Sequence, residues 1–471
     1  MNRKKQVVKY ILSDFFGSAL AWAAFHYFRK RVIEPQLFGE YYGFEVDPRF
    51  LVGLVVIPAF WVFLFYFNGF YRDVYRKSRL RELGSSIWIT FSGVLIIFFL
   101  LLLDDYIATY KNYYQLFLSL LTFQFVLTYF PRLLVTSSTN RKIHTRKLGY
   151  PTLIVGDGEK ALELYNELES QTKSQGNIIV GYVSTGSRSK ESLAGITKHL
   201  GDLKLLRNIV FDNSIEEVLI ALETSDHRHI SKVMNGLIGM NVHVKAIPSL
   251  YDYLTGRVKM SSIFGAPLMQ LSFELMPTWQ EKVKQIMDIT ISFVAIIILL
   301  PLFLILASII KITSKGPIFH KQERIGKYGR PFILFKLRSM YLNAEAGGPA
   351  LSSKHDNRVT PLGRFMRKTR LDEIPNFINV LKGDMSLVGP RPERQFFIDQ
   401  IVKKAPHYLH LQKVKPGITS WGQVKFGYAE NVDQMVERLK YDLLYLENMS
   451  LFVDLKIIIY TLITVFRGKG V

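Results

Sequence analysis

The sequence has no cysteine among its 471 residues. That excludes a disulfide framework, a thiolate zinc site and a cysteine nucleophile. Acidic residues are scarce beside basic ones: 39 Asp and Glu face 60 Lys and Arg, for a formal net charge of +21. The hydrophobic share of 49% is too high for a disordered chain. A mean hydropathy of +0.14 is high for a soluble protein so strongly charged. The two facts fit if the apolar residues are gathered in membrane segments with the basic ones beside them. A basic chain can bind nucleic acid, anionic lipid or phosphorylated small molecules, and the placement of the charge decides among these. At ~150 residues per domain the length allows about three domains.

Four apolar runs occupy the first part of the chain: Tyr10–Phe28, Leu51–Phe67, Ser86–Leu103 and Tyr114–Val135. Each is near the ~20 residues a helix needs to cross ~30 Å of hydrocarbon. No small-residue cleavage site follows the first run, and Arg29-Lys30-Arg31 closes it, so it reads as a retained span rather than a signal peptide. Arg3, Lys4 and Lys5, then Arg72, Arg76, Lys77, Arg79 and Arg81, then Arg141, Lys142, Arg146 and Lys147 mark the cytosolic ends of these spans. Asp104–Asn112 holds two acids and one lysine and reads as an outer loop. Asp14, inside the first span near its cytosolic end, is expected to snorkel or to make an interhelical polar contact rather than to serve transport.

A strand candidate at Leu153–Val155 leads into Gly156-Asp157-Gly158 and a helical pattern at Ala161–Glu169. Ile178–Val183, Glu217–Ala221 and Val242–Ile247 are further strand candidates. Strands alternating with helices indicate a Rossmann-like parallel sheet. Gly156-x-Gly158-x-x-Ala161 fits a relaxed dinucleotide fingerprint. The acid that should bond a ribose about 20 residues on is missing, because the second strand ends in Val183-Ser184-Thr185. Asp157 would also set a negative charge against a pyrophosphate. The middle region therefore reads as a scaffold or regulatory domain without a clear dinucleotide site.

Ile286–Ile310 is another apolar run, with Lys282 and Lys284 before it and Lys311 and Lys315 after it. Pro301 removes a backbone donor and disfavours helix in the preceding residue, so a bend is expected at Leu300-Pro301. Ile286–Leu300 alone rises only ~22 Å, short of the hydrocarbon core. A re-entrant helix that enters and leaves on one side satisfies both basic flanks. Residues 311–371 then carry 14 Lys and Arg against 3 Asp and Glu, a balance suited to phosphate chemistry.

The stretch Thr369-Arg370-Leu371-Asp372-Glu373-Ile374-Pro375 is the most informative. Thr369-x-x-Asp372 has the form of a helix-starting capping box, and Pro375 suits a first helical turn. Asp372 and Glu373 would then lie at a helix N-terminus, where anions and phosphates are favoured. Arg364, Arg367, Lys368 and Arg370 precede the pair, Gly389-Pro390-Arg391-Pro392-Glu393 follows it, and Lys336-x-Arg338 lies upstream after the β-type run Phe332–Phe335. A carboxylate pair among arginines suits covalent or metal-assisted phosphoryl transfer. Guanidinium groups hold phosphate oxygens bidentately. His407 and His410 lack a third ligand nearby, so a metal site there is not expected.

From Gln285 onward the chain resembles the catalytic domain of the bacterial sugar transferase family, the polyisoprenyl-phosphate hexose-1-phosphate transferases or monotopic phosphoglycosyl transferases. Lys336-Leu337-Arg338-Ser339-Met340, Leu362-Gly363-Arg364-Phe365, Leu371-Asp372-Glu373-Ile374-Pro375, Gly383-Asp384-Met385-Ser386, Val388-Gly389-Pro390-Arg391-Pro392-Glu393 and Lys415-Pro416-Gly417-Ile418-Thr419 carry the likeness. Asn357 and Arg370 depart from the common family residues beside the site. Four spans and a Rossmann-like domain ahead of this region match the family's long form.

The resemblance implies a domain order of 1–149 for a four-helix transmembrane bundle, 150–250 for the Rossmann-like α/β domain and 251–280 for a linker. Residues 281–471 would form an α/β catalytic domain with a re-entrant membrane helix at 286–310. It implies transfer of a hexose-1-phosphate from a UDP-sugar to undecaprenyl phosphate, with release of UMP. Asp372 would be the nucleophile and a Mg²⁺ ligand, with Glu373 as its partner. Lys336, Arg338, Arg364, Arg367 and Arg391 would contact substrate. The product would start a lipid-linked exopolysaccharide, capsule or O-antigen repeat. The expected location is the bacterial inner membrane, multi-pass, with the catalytic domain facing the cytosol; a homo-oligomer is left open, and the sugar is glucose, galactose or an N-acetylated hexosamine, with the long form favouring glucose or galactose. A membrane-bound NAD-dependent nucleotide-sugar dehydratase would need a Tyr-x-x-x-Lys pair, which the chain lacks. A basic membrane scaffold without activity would explain the charge but not the carboxylate pair. Nucleic acid is not an expected partner, since the basic residues form no recognition helix.

Overall fold

The computed structural model describes residues 3–35, 47–102, 110–185, 192–222, 227–240, 242–249, 252, 268–271, 275–342, 344, 348–351, 356–427 and 429–466. Contacts divide the chain into two compact units, Met1–Tyr150 with Tyr165–Ile178, and Pro151–Leu164 with Ile179–Val471. Among the described residues five helices are long and apolar enough to cross a membrane, one more than the four spans expected.

In the first unit α1 (Arg3–Phe28) runs on through a π-type turn at Arg29–Ile33, followed by α2 (Pro48–Phe67), α3 (Arg79–Ile97) and α4 (Tyr110–His144). The expected runs Tyr10–Phe28, Leu51–Phe67 and Tyr114–Val135 lie on α1, α2 and α4, and the run from Ser86 starts on α3 and continues through a π-type stretch at Phe98–Leu102. Leu103 of the third run and residues 104–109 of the expected outer loop lie outside the described residues. The sequence supplies the starts: Asp47 accepts from the Arg49 N–H ahead of Pro48, and Ser78 accepts from the Arg81 N–H. Tyr10, Phe25, Trp61, Phe65, Ile89, Val94, Leu116 and Leu120 share one apolar core.

Asp14 of α1 pairs with Arg132 of α4 inside that unit, and both are fully buried. The Tyr71 hydroxyl donates to Asp14 Oδ2 at 2.6 Å, and the guanidinium carbon of Arg132 lies 3.6 Å from the Phe65 ring centroid. Of the two readings open for Asp14, the interhelical contact is the one present. Thr136 links a second polar group, bonding Tyr10 at 2.7 Å and donating to Glu82 at 2.5 Å.

A six-stranded sheet has the order β3-β2-β1-β4-β5-β6. Its strands are β1 (Tyr150–Val155), β2 (Asn177–Ser184), β3 (His199–Asp202), β4 (Glu217–Ile220), β5 (His243–Ala246) and β6 (Met269–Leu271). Helices α5 (Glu159–Ser170), α6 (Leu206–Asp212) and α7 (His227–Gly236) fall between them. β2–β3, β1–β4 and β4–β5 pair parallel, while β6 closes the edge antiparallel to β5. The four expected strands are present. β3 and β6 were not expected, because His199-Leu200-Gly201-Asp202 and the three residues of β6 carry no apolar run. Of the expected linker, residues 251, 253–267 and 272–274 lie outside the described residues.

α8 (Thr278–Thr313) is one helix of 36 residues with Pro301 inside it. Pro301, where a bend is expected, does not end the helix. A proline forfeits one backbone donor, and the turns on either side continue the ladder. Beyond it the hairpin β7 (Phe319–Ile325) and β8 (Pro331–Leu337) pairs Phe319 with Leu337 and Ile325 with Pro331. Then come α9 (Pro361–Thr369), a 3₁₀ turn at Leu371–Glu373, α10 (Asn376–Lys382) and β9 (Ser386–Val388). α11 (Gln395–Lys404), a 3₁₀ stretch at Pro406–Lys413, β10 (Gly417–Thr419), α12 (Trp421–Lys425), α13 (Val432–Glu447) and α14 (Leu451–Phe466) complete it. Phe397, Ile401, Leu439, Tyr445 and Ile457 lie in its core. α14 buries Ile457 and exposes Phe452, Leu455, Ile459 and Leu462.

Removing one partner of a buried ion pair leaves an uncompensated charge and costs about 3–5 kcal/mol, whereas an apolar pair of similar volume is often neutral. Arg132→Met should therefore lower the melting temperature of the detergent-solubilised protein clearly, and Asp14→Leu added to it should recover most of the loss. A single variant that melts like the native chain would show that the pair does not hold the helices.

Candidate functional site

Asp372 and Glu373 lie in the 3₁₀ turn between α9 and α10, each 6% exposed. The capping box expected at Thr369 is not formed. Thr369 is the last residue of α9, and its hydroxyl bonds back to the carbonyls of Phe365 and Met366. Arg370 then takes a left-handed conformation, φ 57°, which ends α9 and turns the chain into the 3₁₀ turn. The helix start with a working cap is Thr360, whose hydroxyl accepts from the Gly363 N–H at 2.9 Å. Gly363 is required there by close approach: a Cβ would come 2.0 Å from the Ser339 carbonyl oxygen. One turn later Arg367 donates from Nε to Ser339 Oγ at 2.9 Å.

Asn379 fixes the dyad against β8. Its amide donates to the Ile333 carbonyl at 2.7 Å and accepts from the Phe335 N–H at 3.2 Å. The free edge of the hairpin is thereby satisfied by a buried side chain of α10. Lys336, next on β8, donates to Glu373 Oε1 at 2.7 Å, and Arg391 Nη1 lies 3.8 Å from the same oxygen. Burial pushes the Asp372 carboxyl up, opposed by Lys336, Arg367 and Arg391 and reinforced by Glu373. Burial also pushes Glu373 up, but Lys336, Arg391 and Arg370 outweigh it and hold Glu373 well below the usual carboxylate range. The result is one firmly ionised carboxylate beside one of raised basicity, the kind suited to nucleophilic attack.

The pair lines a cavity of about 800 Å³. Its cations are Arg324, Lys336, Arg338, Arg367, Arg391, Arg394 and Arg438, and its acids Asp372, Glu373, Glu393 and Glu430. The excess of cations suits a phosphorylated ligand. Lys336, Arg367 and Arg391 are brought to the dyad as expected. Arg364 is exposed on α9 and outside this lining, so its expected substrate contact has no support in the structure. The helical period does not separate them, since residues three apart share a face of α9, but only Arg367, the nearer to the dyad in the chain, reaches the cavity. Arg338 lines the cavity, yet its guanidinium holds the carbonyls of Ser314 and Lys315 and the Ser314 hydroxyl at 2.6–2.9 Å. It clamps the chain as it leaves α8.

Arg324, Glu393, Arg394 and Arg438 were not expected. The signal was present for two of them, in the Gln322-Glu323-Arg324-Ile325-Gly326 and Pro390-Arg391-Pro392-Glu393 segments. For Arg438, in the middle of an amphipathic helix, nothing local distinguishes it from a solvated arginine.

Lysine cannot reproduce three contacts made by one guanidinium. Arg338→Lys should lower the melting temperature by several degrees, on the scale of a lost buried charge-assisted hydrogen bond of about 1.5–3 kcal/mol. An unchanged melting temperature would assign Arg338 to the ligand rather than to the turn.

Residues 279–468 match the family model described as bacterial sugar transferase, and residues 71–248 match one described as a CoA-binding domain. The chain is 40% identical over 230 residues to the UDP-N-acetylgalactosamine-undecaprenyl-phosphate N-acetylgalactosaminephosphotransferase of Aeromonas hydrophila, over 49% of this chain and 54% of that protein. The chain thus spans about half the length of that relative. It is 36% identical over 199 residues to the UDP-glucose:undecaprenyl-phosphate glucose-1-phosphate transferase of Caulobacter vibrioides, over 42% of this chain and 72% of that one. The undecaprenyl-phosphate galactose phosphotransferase of Salmonella typhimurium is 28% identical over 451 residues, covering 90% of this chain and 88% of its own length. Carrying the carboxylate pair and its cations inside the matched region, the chain belongs to the bacterial sugar transferase family.

Proposed function

We propose that the chain transfers a hexose-1-phosphate from a UDP-sugar to undecaprenyl phosphate, releasing UMP and starting a lipid-linked polysaccharide repeat. The observation that carries this is the buried Asp372–Glu373 pair beside Lys336, Arg367 and Arg391 in a basic cavity. The names of the relatives agree with it. In the first step an oxygen of Asp372 bonds to the β-phosphorus of the donor, the bond from that phosphorus to the bridging oxygen breaks, and UMP leaves with the electron pair. In the second step a phosphate oxygen of the lipid attacks the same phosphorus, and Asp372 departs as a carboxylate. Glu373, held ionised by Lys336, orients that lysine and keeps the site's charge fixed through both steps. Arg367 and Arg391 hold phosphate oxygens.

Mg²⁺ fits the residues present. Glu373 Oε2 is buried without a hydrogen-bond partner, and Glu373 is the next residue after Asp372. One or two carboxylates with substrate phosphates are the usual magnesium donor set. Asp372, with Glu373 beside it, would hold the ion, which supplies charge neutralisation to the phosphates. CoA does not fit the middle sheet. The glycine turn that would cradle its pyrophosphate holds the buried Asp157, whose carbonyl accepts from the Ser192 N–H at 2.9 Å. Glu159 adds a second acid in the first turn of α5. A Cβ on Gly156 would meet the Ala221 carbonyl oxygen at 2.0 Å, so this glycine serves chain packing. The reading of that region as a domain without a dinucleotide site rests on these contacts.

α8 supports a re-entrant course with the catalytic region in the cytosol. Toward its N-terminus Lys284 donates to the Val388 carbonyl at 3.0 Å, and Asp288 accepts from the Ser386 hydroxyl at 2.7 Å and the Leu387 N–H at 3.2 Å. Toward its C-terminus Phe303 stacks on Phe319, and Leu306 and Ile310 pack with Leu337 and Met366. Both ends of the apolar stretch are fastened to one α/β region, while Ile289, Phe293, Ile297, Ile298 and Leu304 between them face outward. That exposed stretch would lie in lipid, at the level where a polyprenyl phosphate presents its headgroup.

Two experiments test the reading. Asp372→Asn should fold, insert and bind the donor, yet release no UMP, and native protein given labelled UDP-sugar and Mg²⁺ without acceptor should become labelled at Asp372. UMP release by the variant at the native rate would remove Asp372 as nucleophile. The absence of cysteine makes accessibility mapping direct. Trp279→Cys and Lys315→Cys, one at each end of α8, should both be modified by an impermeant thiol reagent only after the membrane is opened. Labelling of Lys315→Cys in intact cells would make α8 a true span.

A further inference from the structure

We infer that Arg324 is a positioning residue that aims Arg391, and does not itself hold substrate. The inference rests on the proposed role of Arg391 at the donor phosphates. Arg324 lines the cavity, but the protein occupies both edges of its guanidinium. Nε and Nη2 both donate to Gln322 Oε1, at 3.0 and 2.6 Å. Nη1 donates to the Pro392 carbonyl at 3.0 Å and to Glu393 Oε2 at 3.3 Å. The neighbouring backbone adds a bond from the Ile325 N–H to the Glu393 carbonyl at 3.0 Å. On the other side of the turn the Gly417 N–H donates to the Pro390 carbonyl at 2.9 Å.

Arg391 therefore sits between two pinned carbonyls, those of Pro390 and Pro392. The two prolines fix φ on either side of it, which leaves the turn little freedom except rotation about these anchors. Glu393 meets Arg324 with one oxygen and Arg438 with the other, at 2.6 Å for the latter, so one carboxylate ties both arginines into the anchor. Gln322 closes the device by holding the guanidinium plane in one orientation. A positively charged side chain without the fork could keep the charge but not the contact to Pro392, because a lysine offers a point charge on a flexible stem.

A positioning role makes a specific claim about non-additivity. Arg391→Ala should slow UMP release in a single turnover without acceptor by about 10²–10³-fold, the usual cost of one electrostatic stabiliser. Arg324→Lys in the native background should slow it by about 10–100-fold, the scale of a small misplacement of a reacting group. In the Arg391→Ala background the same Arg324→Lys change should cost less than about 3-fold, since nothing is left to aim. Gln322→Ala keeps the Arg324 charge and releases only its plane; it should show a smaller loss that also vanishes without Arg391. Melting temperatures would be read alongside. Equal loss from Arg324→Lys in both backgrounds would mean that Arg324 acts on the substrate directly, and native rates in Arg324→Lys and Gln322→Ala would mean that the turn needs no anchor. Asp372→Asn run in parallel separates the two readings: if it releases UMP, the nucleophile assignment fails, and the cycle still reports whether Arg324 acts through Arg391.

Discussion

Two adjacent carboxylates buried in one turn impose the main constraint on the catalytic region. An ionised group taken out of water costs several kcal/mol unless charge and hydrogen bonds compensate it. The compensation comes from three separate elements: Lys336 from β8, Arg367 from α9 just ahead of the pair, and Arg391 from the turn after β9. Each must be delivered to within a few ångströms, so each segment is anchored by its own local device. β8 is held by Asn379, α9 by the Thr360 cap and the Gly363 contact, and the turn by the bonds to Pro390 and Pro392. The left-handed Arg370 is what permits α9 and α10 to flank the pair instead of merging into one helix.

The long apolar helix is tied into the same arrangement. Asp288 binds the Ser386 hydroxyl and the Leu387 N–H of β9, the strand that leads directly into the Arg391 turn. Leu306 and Ile310 pack under Leu337, next to Lys336 and Arg338. A helix whose middle exposes Ile297 and Ile298 thus holds both the strand before Arg391 and the strand that carries Lys336. The first unit obeys the same rule by itself. Asp14 is retained in an apolar core because Arg132 and Tyr71 satisfy it, and Arg132 is further stabilised against the Phe65 ring.

The apolar runs, the strand–helix alternation of the middle region and the Asp372–Glu373 pair with its arginines could all be read from the chain. Runs of ~20 apolar residues and short β-branched segments are decided locally, by hydrophobic period and length. Pro301 does not end α8, because it forfeits one backbone donor within the ladder of a 36-residue helix. Thr369 was read as a cap because its spacing to Asp372 is right, although the backbone at Arg370 reverses first.

What the sequence determined by itself, then, is composition, span positions, the order of elements and which residue types could carry the chemistry, since these depend on neighbours along the chain. Only the tertiary structure decided which arginine does what. Arg364, Arg367, Arg338, Arg324 and Arg391 are alike in sequence terms. Folding puts Arg364 in solvent, closes Arg338 on Ser314, locks Arg324 to Pro392 and leaves Arg367 and Arg391 beside the carboxylates. The same holds for Asp14 and Arg132, which are 118 residues apart in the chain. A charge is assigned its role by the partner that folding brings to it, and partners distant in sequence leave no local pattern to read.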